Sequence, residues 1–169
     1  MSSSQLIDAG PKPDTKVGDI VVGLDDSPAA AAALQWAAAQ SHLTGSRLHV
    51  VHAWQMGAFG AAALAARGVN FTEAAVADAR ARATRWAVEA LHNDAEIHWQ
   101  LDIVEGSPGP VLVGRSHGAR LLVLGTQEHT GFHRAVPGSV SHYCLSHAHT
   151  PIVAVPAPSE APELARRSR

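Results

Sequence analysis

The sequence predicts an α/β fold, a three-layer αβα sandwich around a mainly parallel sheet. Three observations predict it. Five strand-like segments alternate with four helix-like ones, in the order strand-helix four times and then a strand. Two of the strand segments, DIVVGLD and RLLVLG, are nearly continuous aliphatic runs, as strands buried on both faces are. Two of the strand-to-helix joins carry Ser-Pro, an N-cap residue followed by proline at the first helical position.

Each element has its own reason. Residues 1–17 are polar and proline-containing and read as a flexible leader. Asp19–Asp25 is the first strand. Ser27-Pro28 opens a helix that runs through the alanines to about His42, and Gly45 ends it. Arg47–Trp54 (RLHVVHAW) is the second strand, and the Gly- and Ala-rich residues 55–70 read as a flexible excursion. Thr72–Leu91 is helical. Val76, Ala79, Ala83, Trp86, Ala87, Ala90 and Leu91 recur on one face at steps of three or four, with Arg80, Arg82 and Arg85 elsewhere. Glu96–Glu105 alternates Ile97, Trp99, Leu101 and Ile103 inward, as a strand near a sheet edge does. Ser107-Pro108 opens a helix through Val111–His117 that Gly118 stops. Arg120–Gly125 is the fourth strand. A loop, 126–137, leads to Gly138-Ser139 and a short helix to about His147, and Pro151–Val155 is the fifth strand. Residues 157–169 form a charged, flexible tail. The folded domain is 18–156.

Composition narrows the function. The chain has 169 residues, 46% of them hydrophobic and 5% aromatic, and 32 are alanine, so small side chains that suit close helix packing supply much of the apolar content. Thirteen basic against fifteen acidic residues give a net charge of −2, which offers no footprint for nucleic acid or a membrane surface. The single Cys144 excludes an intrachain disulfide framework and a cysteine-based zinc site. The start has no basic segment followed by an apolar core, so it does not read as a signal peptide. A soluble, cytoplasmic protein is the expectation.

In an open parallel sheet, ligands bind beyond the carboxyl ends of the strands, where strand order reverses. Two segments should meet there: Gly23-Leu24-Asp25-Asp26-Ser27 after the first strand, and Gly125 to Val140 after the fourth. The second begins with Gly at a strand end and finishes with Gly138-Ser139 at a helix start, a place where backbone amides and the helix dipole favour an anion such as phosphate. The same glycines and serine also suit an ordinary βα turn with an N-cap.

The combination of DIVVGLDDSP, LHVVHAW, EGSP, LLVLG and GSVS…HTPIVAVP resembles the universal stress protein family, in order over nearly all of 18–156. The resemblance implies a Rossmann-like five-stranded parallel sheet of order 3-2-1-4-5 and a homodimer formed through the last strand, Pro151 to Val155. It also implies ATP held by a pattern of Gly, two residues, Gly, nine residues, then Gly-Ser. Gly125 and Gly138-Ser139 match that pattern, and Glu128 stands where its middle glycine would be. By the same resemblance Asp25 contacts the adenosine, while Gly23, Leu24, Ala53 and Leu124 line the base pocket. Val140 begins the phosphate-side helix, and Arg134 is a nearby donor. Mg²⁺ is expected only with the nucleotide.

Glu128 brings a carboxylate toward a triphosphate. Two unit charges 4 Å apart repel by about 1 kcal/mol in water and about 4 kcal/mol at an intermediate dielectric, a cost of roughly tenfold to several hundredfold in affinity. The readings are therefore an ATP-responsive signalling dimer, or a protein-interaction dimer whose site Glu128 blocks. A third is slow ATP hydrolysis or autophosphorylation at Ser139 or Thr130, for which the sequence names no base, so an enzyme is not expected.

Other candidates have ordinary explanations. No metal site is expected, because His142, His147 and His149 lack an HExxH-type arrangement and read as solvated. Asp25 and Asp26 are adjacent on an extended chain and point to opposite sides, Asp25 toward a ribose and Asp26 toward the helix cap. Cys144 reads as a buried, inert thiol, and the four tryptophans as packing residues.

Overall fold

The computed structural model describes residues 18–55, 71–92, 94, 96–126 and 140–158. They form β1 (Ile20–Gly23), α1 (Pro28–Thr44), β2 (Leu48–Trp54), α2 (Phe71–Ala90), β3 (Trp99–Glu105), α3 (Pro108–Arg115), β4 (Leu121–Thr126), α4 (Val140–His147) and β5 (Ile152–Pro156). All strand pairings are parallel and the sheet order is β3-β2-β1-β4-β5. Strand order reverses between β1 and β4, which run side by side with Ile20 opposite Leu121 and Val22 opposite Val123.

The period of two along each strand divides the core into two layers. Ile20, Val22, Leu24, Leu48 and Val50 point to the side covered by α1 and α2. Val21, Val51, Leu122 and Leu124 point to the side covered by α3 and α4, where Leu112 and Cys144 meet them. Alanine has a definite place in this arrangement. Ala30, Ala33 and Ala37 of α1, with Ala83, Ala87 and Ala90 of α2, are buried between helix and sheet. Trp36, Trp86 and Trp99 pack around the same cluster.

Helix boundaries follow local chemistry. Ser27 has extended backbone and its hydroxyl accepts from the Ala30 amide at 3.1 Å, with Pro28 in the first turn. Gly45, left-handed at φ 65°, stops α1 after Thr44, two residues beyond the expected end. Ser27→Ala is expected to lower stability by about 1 kcal/mol, read by chemical denaturation, because one first-turn amide loses its acceptor.

The second Ser-Pro join behaves differently. Ser107 makes no side-chain cap bond; its hydroxyl instead accepts from Gln55 Nε2 at 2.9 Å. A nearby amide has taken the hydroxyl's place in the pairing, so a cap motif in sequence did not become a cap in space. α3 also ends at Arg115 rather than His117, in a turn over 116–118. Ile97 is buried but precedes the ladder, so β3 starts three residues later than the alternation predicts.

At the amino edge, buried Asp19 accepts from Arg47 Nη2 at 2.9 Å and Nε at 3.3 Å, a forked pair joining the starts of β1 and β2. Among the described residues, no helix is long and apolar enough to cross a membrane. The expected leader 1–17, the stretch 56–70, the 127–139 part of the loop and the tail from 159 onward lie outside the described residues.

Candidate functional site

A cavity of about 110 Å³ opens at the carboxyl edge of the sheet, at the β1/β4 reversal. Its floor is Gly23 at the end of β1 with Leu24 and Asp25 after it, Val51 and Ala53 of β2, and Leu124 and Gly125 of β4. First turns of three helices close it: Ser27 and Ala30 of α1, Pro108 of α3, and Val140 and Ser141 of α4. Because every strand points the same way, the following helices begin at this edge, and α1, α3 and α4 present their positive ends to the cavity.

Seven of the residues singled out in the sequence border this cavity: Gly23, Leu24, Asp25, Ala53, Leu124, Gly125 and Val140. Arg134, Gly138 and Ser139, together with Glu128 and Thr130, lie outside the described residues. Sequence reading missed Val51, Leu112, Pro108 and Ser141. Pro108 and Ser141 had a signal, since the first turns of successive helices must gather at one edge. Val51 and Leu112 reach the cavity only through the packing of α3 on β2.

Asp25 is exposed, and its Oδ1 accepts from the Ser27 amide at 2.9 Å. Asp25, not Asp26, thus braces the helix entry, because an Asx-type contact reaches two residues ahead. Asp25 Oδ2 has no partner among the described residues and is open to a hydroxyl donor. The backbone of Leu24 is already engaged: its amide donates to the Val51 carbonyl at 2.9 Å, and His52 Nδ1 donates to its carbonyl at 2.9 Å. His52 is held in turn edge-on against Trp86, ring centroids 5.4 Å apart. Leu24 therefore offers a ligand mainly its apolar surface.

Gly125 has a packing role as well. A Cβ there would lie 2.4 Å from the Ala29 carbonyl carbon and 2.6 Å from the Ala30 nitrogen, so β4 meets the first turn of α1 backbone to backbone. Beneath the crevice, Cys144 is fully buried and burial pushes its thiol up to about 11, which keeps it unreactive.

On the α3 side, below the cavity, lies a charged group that the sequence did not announce. His49 of β2 is 1% exposed, and its Nε2 lies 3.0 Å from Asp102 Oδ2 of β3. Arg115 Nη1, at the end of α3, donates to the same oxygen at 2.9 Å. The Asp102 carboxyl is held below its ordinary range, first by the hydrogen bond from His49 against an opposing cost of burial, then by the charges of His49, Arg115 and Arg80. His49 and His52 are buried, whereas His142, His147 and His149 are exposed.

With this geometry in place, comparison with known proteins is direct. The model of the universal stress protein family matches residues 16–156. The chain belongs to the universal stress protein family. Universal stress proteins of two Mycobacterium tuberculosis strains are 30% identical over 171 aligned positions, covering 86% of this chain and 52% of theirs. The chain thus spans about half the length of those relatives. A universal stress protein crystallised in complex with cAMP superimposes with a TM-score of 0.58 at 18% identity, covering 85% of this chain and 99% of that one. A universal stress protein from Archaeoglobus fulgidus in complex with dAMP gives 0.56 at 20% identity, covering 82% and 97%. The five-stranded order β3-β2-β1-β4-β5 is thus that of a universal stress protein domain.

Proposed function

We propose that this universal stress protein is a cytoplasmic, nucleotide-responsive signalling dimer that binds ATP or a related adenine nucleotide in the carboxyl-edge cavity. What carries the reading is the coincidence of that cavity with the strand reversal and with Asp25, Ala53, Gly125 and Val140. At about 110 Å³ it is smaller than the roughly 300–1,000 Å³ of pockets that engulf a drug-sized ligand. It suits a flat ring, with the rest of the nucleotide lying across the sheet edge.

The residues fit such a ligand. Leu24, Val51, Ala53, Leu112 and Leu124 supply apolar surface for a base, and Asp25 Oδ2 can accept from a ribose hydroxyl. The first turn of α4, which directly follows Gly138-Ser139 in the chain, carries amides that the helix itself leaves unpaired and that would meet phosphate oxygens. Mg²⁺ would accompany the phosphates. The role is binding, with Asp25 Oδ2 as a ribose acceptor rather than a base. Nucleotide joins first turns of α1 and α4 across the cavity and so biases the surface that a partner protein reads.

For the dimer, β5 is the natural seam. It lies at the sheet edge, pairs only with β4 among the described residues, and leaves its other side for a second copy. Light scattering at high concentration is expected to give twice the chain mass; a monomer overturns this part.

The nucleotide claim is tested by extracting denatured purified protein for bound ATP and by titration. Asp25→Ala is expected to weaken ATP binding about tenfold or more, with a stability loss of about 1 kcal/mol or less from the lost contact to the exposed Ser27 amide. The sequence favours one rival, in which Glu128 blocks the phosphates and the protein is an interaction dimer without nucleotide. No thermal shift with millimolar ATP in wild type, but a clear shift in Glu128→Gly, selects the rival. No shift in either overturns the nucleotide reading.

A further inference from the structure

At the amino edge of the sheet, away from the nucleotide crevice, three side chains from two separate segments converge. His42 comes from the last turn of α1, and Asp94 and Glu96 come from the turn between α2 and β3. One imidazole nitrogen and one oxygen from each carboxylate all lie within 4.8 Å of one another. We propose that His42, Asp94 and Glu96 form a binding site for a transition-metal dication of the zinc class.

Geometry is the first argument. A tetrahedral zinc ion with bonds of about 2.0–2.1 Å holds neighbouring ligand atoms about 3.3–3.4 Å apart. His42 Nε2 and Asp94 Oδ2 are 3.2 Å apart, already one edge of such a tetrahedron. Glu96 is exposed, has a carboxylate oxygen within 4.8 Å of both, and would supply the third corner, leaving the fourth to water.

Preorganisation is the second argument. Asp94 donates its amide to the Leu91 carbonyl at 3.0 Å and accepts at its own carbonyl from the Ile97 amide at 3.4 Å. Leu91 and Ile97 are both buried, so the turn is anchored in the core on either side of the ligands. The Asp94 carboxylate also accepts from the Glu96 amide at 2.9 Å through Oδ1, which orients Oδ2 toward His42. On the far side His98 Nδ1 lies 3.3 Å from the Glu96 carbonyl. His42 itself rides on a 17-residue helix.

Charge is the third. Two carboxylates and a neutral imidazole sum to −2, which a dication cancels. Neither carboxylate is paired with Lys or Arg among the described residues. The C-terminal end of α1, where His42 sits, adds the negative pole of the helix dipole. Imidazole with carboxylates is a donor set for zinc, cobalt or nickel rather than for Mg²⁺ or Ca²⁺, which take all-oxygen shells. Bound metal would clip the end of α1 to the turn that feeds the edge strand β3.

Zinc chloride, without nucleotide, is titrated into the full chain by calorimetry. Wild type is expected to take up one zinc with an affinity at least about tenfold above that of His42→Ala and of Glu96→Gln, the order of loss that even a supporting partner of a metal ligand causes. His147→Ala, at an exposed histidine elsewhere, is expected to bind as wild type does. All three substitutions are at the surface, and melting curves without zinc check that they fold alike. Zinc should raise the melting temperature of wild type and not of His42→Ala. Equal zinc affinity in wild type and the His42→Ala/Glu96→Gln double variant overturns the proposal, as does a loss that follows His147 instead.

Discussion

Gly125→Ala is expected to cost about 3 kcal/mol of stability and to lower the melting temperature by about 6–12 °C, the shift that such a loss produces in a domain of this size. The added Cβ would stand 2.4 Å from the Ala29 carbonyl carbon, 2.6 Å from its oxygen and 2.6 Å from the Ala30 nitrogen. All three are backbone atoms in the first turn of α1, so no rotamer change relieves the contact and Ala29→Gly does not rescue it. Either β4 or the start of α1 must shift, and both border the cavity. Nucleotide affinity should therefore fall along with stability. Urea denaturation and ATP titration of the same variant measure the two effects. A melting temperature within about 2 °C of wild type would show that the close approach of β4 to α1 is not tight, and that the glycine serves the ligand alone.

Asp102→Ala is expected to cost about 2 kcal/mol near neutral pH. The carboxylate is the shared partner of His49, which has no access to water, and of Arg115, which is 17% exposed at its side chain. Removing it takes a charged partner from both groups at once. Asp102→Asn should cost less, since the amide keeps a hydrogen-bonding oxygen and loses only the charge. The pH dependence has a definite sign. The folded protein holds the Asp102 carboxyl below its unfolded value, chiefly through the His49 hydrogen bond. Its contribution to stability is therefore fully present above the unfolded pKa and is lost as pH falls through about 4 toward the folded value. Denaturation at pH 7 and pH 3.5 should show the gap between wild type and Asp102→Ala narrowing in acid. A gap that stays constant, or widens, would assign the cost to lost packing rather than to the ion pair.

This network also marks where sequence reasoning stops. LHVVHAW reads as a buried strand, and that reading holds, yet it contains two histidines among its five buried positions. A polar residue at such a position needs a partner, but the partner's identity depends on strand register. β2 and β3 pair in parallel with His49 opposite Gln100 and Val51 opposite Asp102, so the His49–Asp102 contact is diagonal across the ladder. Arg115 then arrives from a helix 13 residues further along the chain. Nothing in the spacing of 49, 102 and 115 announces that they meet. His42 and the 94–96 turn are a second case, 52 residues apart and joined only because α1 and α2 lie side by side.

By itself the sequence determined the layers and their order. Aliphatic runs with a period of two, alanine faces at steps of three and four, and a Ser-Pro start to the first helix are local signals, and local signals survive without a partner. Resemblance added the strand order and the ring of Gly23, Leu24, Asp25, Ala53, Leu124, Gly125 and Val140 around one cavity. Tertiary structure alone decided how each residue is used. It turned Ser107 from a cap into the partner of Gln55, gave the helix-entry contact to Asp25 instead of Asp26, and made Gly125 a point of backbone contact with α1. It also buried His49 and His52 while leaving His142, His147 and His149 in solvent. The physical reason is common to all of these: a side chain's partner is set by distance in space, and that distance exists only once the strands are in register and the helices are packed.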